Sequence, residues 1–336
     1  MIVGTPSFSV RISYACSGIE GVSLIVVFLA LYCWLFRKAL RFPQAFWLFP
    51  IGVVSIWLAN VVRIAALFAI GASISPDIAL GGFHAEAGWV AFTLIALAAV
   101  AMSHRLRFFT TDGSPATIPS ADRRLAAALL VPLMALMGTA MVTSLATSSA
   151  APGLDPFYFV RVLTTGIGLW FYRESYRGLG WSVSWHSAII GGCVFLVWIL
   201  FEPSAMPSVS DLTPSLVTLP PEAIPGWLVL RIMGAVIAVP LAEELAFRGY
   251  LLRKLISDAY ETVPLHRFTW FSFTASSAAF GLLHGERWLA GTLAGMGFAL
   301  AMYRRGHIGD AVAAHATANG LLSIWVITRG RWDLWS

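Results

Sequence analysis

Repeated apolar runs of about 20 residues dominate this sequence and restrict the folds that it can adopt. A helix needs about 20 mostly apolar residues to cross the hydrocarbon core of a bilayer, and in lipid it satisfies its own backbone hydrogen bonds. Only 12% of the residues are charged, against about a quarter in soluble proteins. The sequence therefore predicts an all-α polytopic membrane protein with about ten transmembrane helices in two bundles. The ten apolar segments are residues 20–36, 46–72, 85–103, 125–146, 157–172, 187–202, 226–254, 268–284, 288–303 and 308–327.

Basic residues cluster at the ends of these segments and predict how the chain is oriented. If the N-terminus is external, most of the Lys and Arg residues fall on one side of the membrane, as the positive-inside rule expects of a cytoplasmic face. We therefore expect a multi-pass protein of a bacterial inner membrane, surrounded by membrane lipid. The net charge of +5 is explained by this clustering and does not indicate a nucleic-acid partner.

A polar stretch rich in Pro, Gly and Ser divides the apolar segments into two groups. We interpret residues 108–124 as a cytoplasmic linker between a membrane domain at 1–107 and a second one at 125–336. The chain has three cysteines. Because Cys33 and Cys193 lie inside apolar runs, we expect no disulfide framework.

Six polar side chains interrupt the apolar segments of the C-terminal third. Glu244 and Arg248 are four residues apart, so they share one face of a helix and can form an ion pair. His315 and Asn319 have the same spacing on another segment. Ionisable groups inside a membrane bundle are costly and usually functional. The complete set is Glu243, Glu244, Arg248, His284, His315 and Asn319.

The chemistry that suits these side chains is peptide hydrolysis. A carboxylate and an imidazole can hold and deprotonate one water molecule, and an imidazole N–H with an amide can donate to the developing oxyanion. One alternative is a zinc site of Glu and two His ligands. It fits less well, because Arg248 would repel a cation and Asn319 is a poor zinc ligand. The other alternative is a polar network that only fixes helix packing.

Three motifs occur in a fixed order in this region: Glu243-Glu244-x-x-x-Arg248, Phe280-x-x-x-His284 and His315-x-x-x-Asn319. They resemble the CAAX-protease and bacteriocin-processing (CPBP) family over about residues 125–327. The resemblance implies a glutamate peptidase that needs no metal or other cofactor. It implies that Glu243 and His284 activate water, that His315 and Asn319 form the oxyanion hole, and that the two remaining charged residues support the site.

The depth of these residues in the membrane poses a separate question. At a helical rise of about 1.5 Å per residue, Glu243 and His315 fall near the middle of the bilayer, whereas His284 lies further out. A helix break at Gly285 or a tilted helix would bring the three together.

A second polar set occurs in the first third of the chain. Cys16, Arg63 and His84 all fall at the external face in the predicted orientation. An imidazole can take the proton of a thiol, and a nearby cation favours the thiolate and stabilises an oxyanion. These three side chains therefore suit acyl transfer through a cysteine.

The motifs around these residues resemble the exosortase family over about residues 1–105. They are Cys16-Ser17-Gly18-Ile19, Asn60-x-x-Arg63-Ile64 and His84-x-x-x-Gly88-Trp89. The resemblance implies a transpeptidase-like enzyme with Cys16 as nucleophile, His84 as base and Arg63 as stabiliser. Exosortases usually have several spans before the cysteine motif, so we expect this half to be N-terminally truncated.

The order of the two parts resembles the exosortase E/protease fusion. That resemblance implies partners that are exported proteins with a C-terminal sorting signal, namely a VPEID-type motif, a transmembrane helix and a basic tail. Two further hypotheses stay open. In one, only the C-terminal peptidase is active and the exosortase-like half is inactive. In the other, the protein is a non-enzymatic membrane scaffold or a transporter.

Overall fold

Helices form almost all of the regular structure in the computed structural model, which describes residues 2–5, 8–11, 18–37, 39–110, 120–146, 155–201 and 220–335. Each predicted apolar segment coincides with one longer helix in these ranges, so the all-α prediction is confirmed. The helices are α1 (Ile19–Leu35), α2 (Leu48–Ser73), α3 (His84–Arg105), α4 (Ser120–Ser144), α5 (Tyr158–Phe171), α6 (Trp185–Leu200), α7 (Ala223–Lys254), α8 (Trp270–Leu282), α9 (Trp288–Arg305) and α10 (Ile308–Arg329).

Five of these helices are long and apolar enough to cross a membrane: Gln44–Ser73, Glu86–Arg105, Arg123–Ser144, Ala223–Lys254 and Ile308–Arg329. The apolar helices α1, α5 and α6 have 17, 14 and 16 residues. At about 1.5 Å per residue they fall short of a hydrocarbon core of about 30 Å. The polytopic membrane protein is thus confirmed, and the count of ten spans stays a prediction.

Several short elements connect the helices. Strands β1 (Ile2–Thr5) and β2 (Phe8–Arg11) pair antiparallel, a hairpin that the sequence analysis did not predict. Helix α3 is preceded directly by a one-turn helix, Pro76–Ile78, and a π-helical turn, Ala79–Phe83. The 3₁₀ turns are Gln44–Trp47, Arg173–Leu179, Tyr260–Thr262, Gly285–Arg287 and Trp332–Trp335.

The chain divides into two compact units, the first formed by residues 1–118 and 141–152 and the second by 119–140 and 153–336. In the first unit, α1 packs closely on α2 at Gly52. A Cβ atom at Gly52 would lie 2.8 Å from Leu29 Cδ1 and 3.1 Å from Ile25 Cγ1. A small residue therefore permits this helix contact, as is common in membranes.

In the second unit, small residues bring α8 and α9 into backbone contact. A Cβ atom at Gly295 would lie 3.1 Å from Ser277 Cα, and one at Gly291 would lie 3.0 Å from Gly281 Cα. Phe280 of α8 is buried beside this contact. The close approach places the carbonyl groups of α9 within reach of side chains from α7.

Helix α7 is irregular on both sides of the acidic pair. Its regular segment Val239–Glu244 lies between two π-helical turns, Gly234–Ala238 and Leu245–Leu251. Such π-bulges occur frequently at functional sites, since the extra residue redirects the side chains that follow. Both Glu243 and Glu244 are buried in the second unit.

Candidate active sites

Glu244 is the central charged group of the C-terminal site. Its Oε2 lies 3.0 Å from Arg248 Nε, so the predicted ion pair along α7 is present. Its Oε1 lies 2.9 Å from His315 Nδ1 of α10. Glu244 is completely buried. It therefore joins a cation on its own helix to an imidazole on another.

Arg248 is held by groups that neutralise and solvate its charge inside the bundle. It donates from Nη2 to the carbonyl of Gly295 at 2.7 Å. Its guanidinium lies 4.6 Å from the centroid of the Phe280 ring, where a cation is attracted to the aromatic face.

His315 lies between the two carboxylates. Its Nε2 is 3.8 Å from Glu243 Oε2, on the side opposite its bond to Glu244. The imidazole also stacks on the ring of Phe298, with centroids 4.4 Å apart. These contacts fix both the position and the plane of the ring.

His284 follows the end of α8 at Leu282 and precedes Gly285, whose φ is +56°. The helix thus breaks in the region where the sequence analysis considered a break. His284 Nδ1 lies 2.9 Å from the carbonyl of Phe280. A carbonyl only accepts, so Nδ1 carries the proton and Nε2 of the neutral ring keeps a lone pair.

Asn319 lies one turn beyond His315 on α10. Its Nδ2 donates to the carbonyl of Ala235 at 2.8 Å, within the first π-helical turn of α7. An amide nitrogen carries two hydrogens, so one of them remains for a ligand. The π-helical turn therefore orients the amide that the family resemblance assigns to the oxyanion hole.

A cavity of about 90 Å³ lies among these side chains. Glu243, His284, His315 and Asn319 all line it, and the rest of the lining is mainly apolar. Within the described residues, Glu243 Oε2 is buried and has no hydrogen-bond partner. The cavity can hold water molecules beside an acceptor that lacks a donor.

Two residues of the N-terminal set, Arg63 and His84, line a cavity of about 270 Å³ in the first unit. Arg63, His84 and Asn60 contribute polar groups to its wall, and Gly88 leaves room for the guanidinium. A Cβ atom at Gly88 would lie 3.0 Å from Arg63 Nη1. Cys16 lies outside the described residues, and Gly18, two positions later in the sequence, also lines the cavity.

His84 precedes the candidate span Glu86–Arg105 and lies in an environment that disfavours its charged form. Burial and the positive charge of Arg63 both lower the pKa of His84 below the ordinary value for histidine. Both effects favour the neutral imidazole. A neutral imidazole is the form that can take a proton from a thiol.

Comparison with protein families finds one match in each of these two parts of the chain. Residues 225–321 match the family described as type II CAAX prenyl endopeptidase Rce1-like. Residues 1–101 match the transmembrane exosortase (EpsH) family. The chain thus has an exosortase-like part and an Rce1-like part. Neither a curated protein nor a solved structure matches the chain.

Sequence reasoning missed several groups that complete the Rce1-like site. The carbonyl of Gly295, the ring of Phe298 and the carbonyl of Ala235 each hold one of the predicted side chains. The spacing Gly291-x-x-x-Gly295 is a visible sign of close helix packing. Backbone carbonyls in contrast carry no sequence signal.

The side chains of the described residues also bear on the zinc alternative. Among the described residues, no group of three His, Cys, Asp or Glu side chains is placed to hold a metal ion. In the Rce1-like site, Arg248 occupies one side of Glu244 and His315 the other. Metal independence stays a prediction, which chelation can test.

Proposed function

We propose that the Rce1-like part is a glutamate endopeptidase that cleaves membrane-anchored polypeptides. The observation that carries this proposal is the buried Oε2 of Glu243, which has no hydrogen-bond partner among the described residues. Glu243 lines a cavity together with two imidazoles and an amide. A buried acceptor without a donor costs about 1–3 kcal/mol. A water molecule that donates to Glu243 Oε2 would remove this energetic cost and would lie next to the carboxylate that acts as base.

The hydrolysis follows from this arrangement. Glu243 and His284, the latter through its Nε2 lone pair, activate the water together. The water loses a proton to this pair as its oxygen bonds to the scissile carbonyl carbon. The carbonyl oxygen becomes an oxyanion, and the C–N bond then breaks. The proton passes to the leaving nitrogen, so the products are a carboxyl group and an amine.

The oxyanion would be stabilised from α10. Asn319 offers the amide hydrogen that it does not donate to Ala235. With Nδ1 donating to Glu244, His315 has a second N–H at Nε2 only as an imidazolium. The oxyanion role of His315 therefore requires the protonated ring.

Chelation separates this mechanism from the zinc alternative. The substrate is an internally quenched reporter peptide with a Val-Pro-Glu-Ile-Asp motif, an apolar span of about 20 residues and an arginine-rich tail. We expect purified protein in liposomes to cleave the reporter at an unchanged rate after treatment with EDTA and 1,10-phenanthroline. A loss that added Zn²⁺ restores would favour the metal mechanism, and no cleavage by untreated protein would contradict the peptidase.

We infer that the exosortase-like part is a cysteine transpeptidase that acts on C-terminal sorting signals of exported proteins at a bacterial inner membrane. Arg63 and His84, whose neutral form is favoured, lie in one cavity and support this role. The thiolate of Cys16 would attack a carbonyl of the signal, forming a thioester and releasing the C-terminal segment as an amine. An acceptor nucleophile would then take the acyl group and regenerate the thiol.

Trapping of the thioester tests this part independently of the peptidase. In protein that carries Glu243→Gln, we expect the reporter to form a covalent adduct that hydroxylamine releases. Adding Cys16→Ala should abolish this adduct. Cys193→Ala is the matched control, because Cys193 is a free, exposed cysteine. An adduct that persists in Cys16→Ala would exclude Cys16 as nucleophile, and its absence from the parent protein would favour the peptidase-only hypothesis.

A further inference from the structure

The indole of Trp198 in α6 is a polar group that none of the three motifs includes. Its ring lines the Rce1-like cavity and lies 5.2 Å from the ring of His284, at 77° to it. Its Nε1 is buried and has no hydrogen-bond partner among the described residues. We propose that the Trp198 indole N–H binds a backbone carbonyl of the peptide substrate next to the scissile bond.

Two residues of the cavity lining thus carry a buried polar atom without a hydrogen-bond partner among the described residues, a donor in Trp198 and an acceptor in Glu243. An indole nitrogen only donates, and a carboxylate only accepts, so Trp198 Nε1 and Glu243 Oε2 need different ligands. Water can donate to Glu243. A peptide carbonyl can accept from Trp198, and a peptide substrate with its attacking water satisfies both atoms together.

The apolar residues of the cavity lining indicate which peptide side chains the site can accept. Val239, Phe298 and Leu322 contribute apolar surface to the same cavity. Apolar surface of this kind suits an aliphatic side chain of the peptide. The inference rests on the proposed peptidase, and it specifies a substrate with an aliphatic residue beside a carbonyl held by Trp198.

An anchoring role at the membrane surface does not explain the position of the Trp198 indole. Tryptophans at the lipid–water boundary direct their N–H towards water while the ring contacts lipid. Trp185 at the other end of α6 is 69% exposed and fits that description. The Nε1 atom of Trp198 is instead closed off from solvent.

Binding measurements with an isostere test the proposal without relying on turnover. The protein carries Glu243→Gln, is embedded in nanodiscs and binds the quenched reporter peptide. Replacing Trp198 by 3-benzothienylalanine exchanges only the N–H for sulfur and preserves ring size. We expect the dissociation constant to rise about fivefold, the effect of one neutral hydrogen bond. The same replacement at exposed Trp185 is the matched control and should leave affinity unchanged.

The outcomes separate this proposal from the peptidase proposal. An unchanged affinity in the Trp198 isostere, with cleavage by the wild type intact, would overturn the role of Trp198 and leave the peptidase standing. The expected loss of affinity without any wild-type cleavage would support the carbonyl contact and contradict the peptidase. If the reporter does not bind measurably, or the Trp185 control weakens binding equally, the Trp198 proposal is overturned.

Discussion

Replacement of Glu243 by Gln is expected to lower reporter cleavage by about a thousandfold, the middle of the range for loss of a general base. The amide has nearly the shape of the carboxylate, so the cavity and the neighbouring His315 keep their places. It cannot accept the proton that water must lose. Because Glu243 acts on the water rather than on the peptide, the fall should appear in kcat, with KM changed by less than about twofold.

Glu286→Gln is the matched control for this experiment. Glu286 lies two residues after His284 in the 3₁₀ turn and is exposed. We expect this variant to cleave the reporter at the wild-type rate. Equal cleavage by Glu243→Gln and wild type would remove Glu243 from the mechanism and leave its burial to be explained as packing.

Replacement of Arg248 by Ala is expected to have the largest effect on stability, a loss of about 3–5 kcal/mol in the free energy of unfolding. The change removes the cation that neutralises fully buried Glu244 and the donor that satisfies the Gly295 carbonyl. Glu244 would keep only the imidazole of His315 as a partner, and the Gly295 carbonyl would lose the donor from Arg248. Reversible unfolding of the protein in mixed micelles with a denaturing detergent would measure the loss.

Two further variants serve as controls for the stability loss expected of Arg248→Ala. Arg304→Ala removes an exposed arginine near the end of α9 and should cost at most about 0.5 kcal/mol. The double replacement Glu244→Gln with Arg248→Met removes the ion pair as a whole, and it should regain much of the lost stability. A cost below about 1 kcal/mol for Arg248→Ala would show that the ion pair is not a structural requirement.

The two units differ in what their geometry supports. In the Rce1-like part, every side chain of the predicted catalytic set has a defined place around or behind one cavity. In the exosortase-like part, Arg63 and His84 share a cavity, while Cys16 lies outside the described residues. The thioester experiment therefore addresses the residue on which that proposal depends.

Local features of the sequence determined the helices and the contacts within each helix. Apolar runs of sufficient length form helices in lipid because a helix satisfies its backbone hydrogen bonds within one segment. The pairing of Glu244 with Arg248 followed from their spacing, since residues four apart are neighbours on any α-helix. For the same reason His315 and Asn319 could be assigned to one face of α10 before the fold was known.

Only the tertiary structure decided which groups from different helices meet. The sequence placed His284 at another depth from Glu243, and the end of α8 before Gly285 brings it to the same cavity. It also gave no sign that His315 would bond to Glu244 through Nδ1, or that Trp198 would line the cavity. Such contacts depend on how closely helices approach and how they are rotated, and both are fixed by packing between segments far apart in the chain.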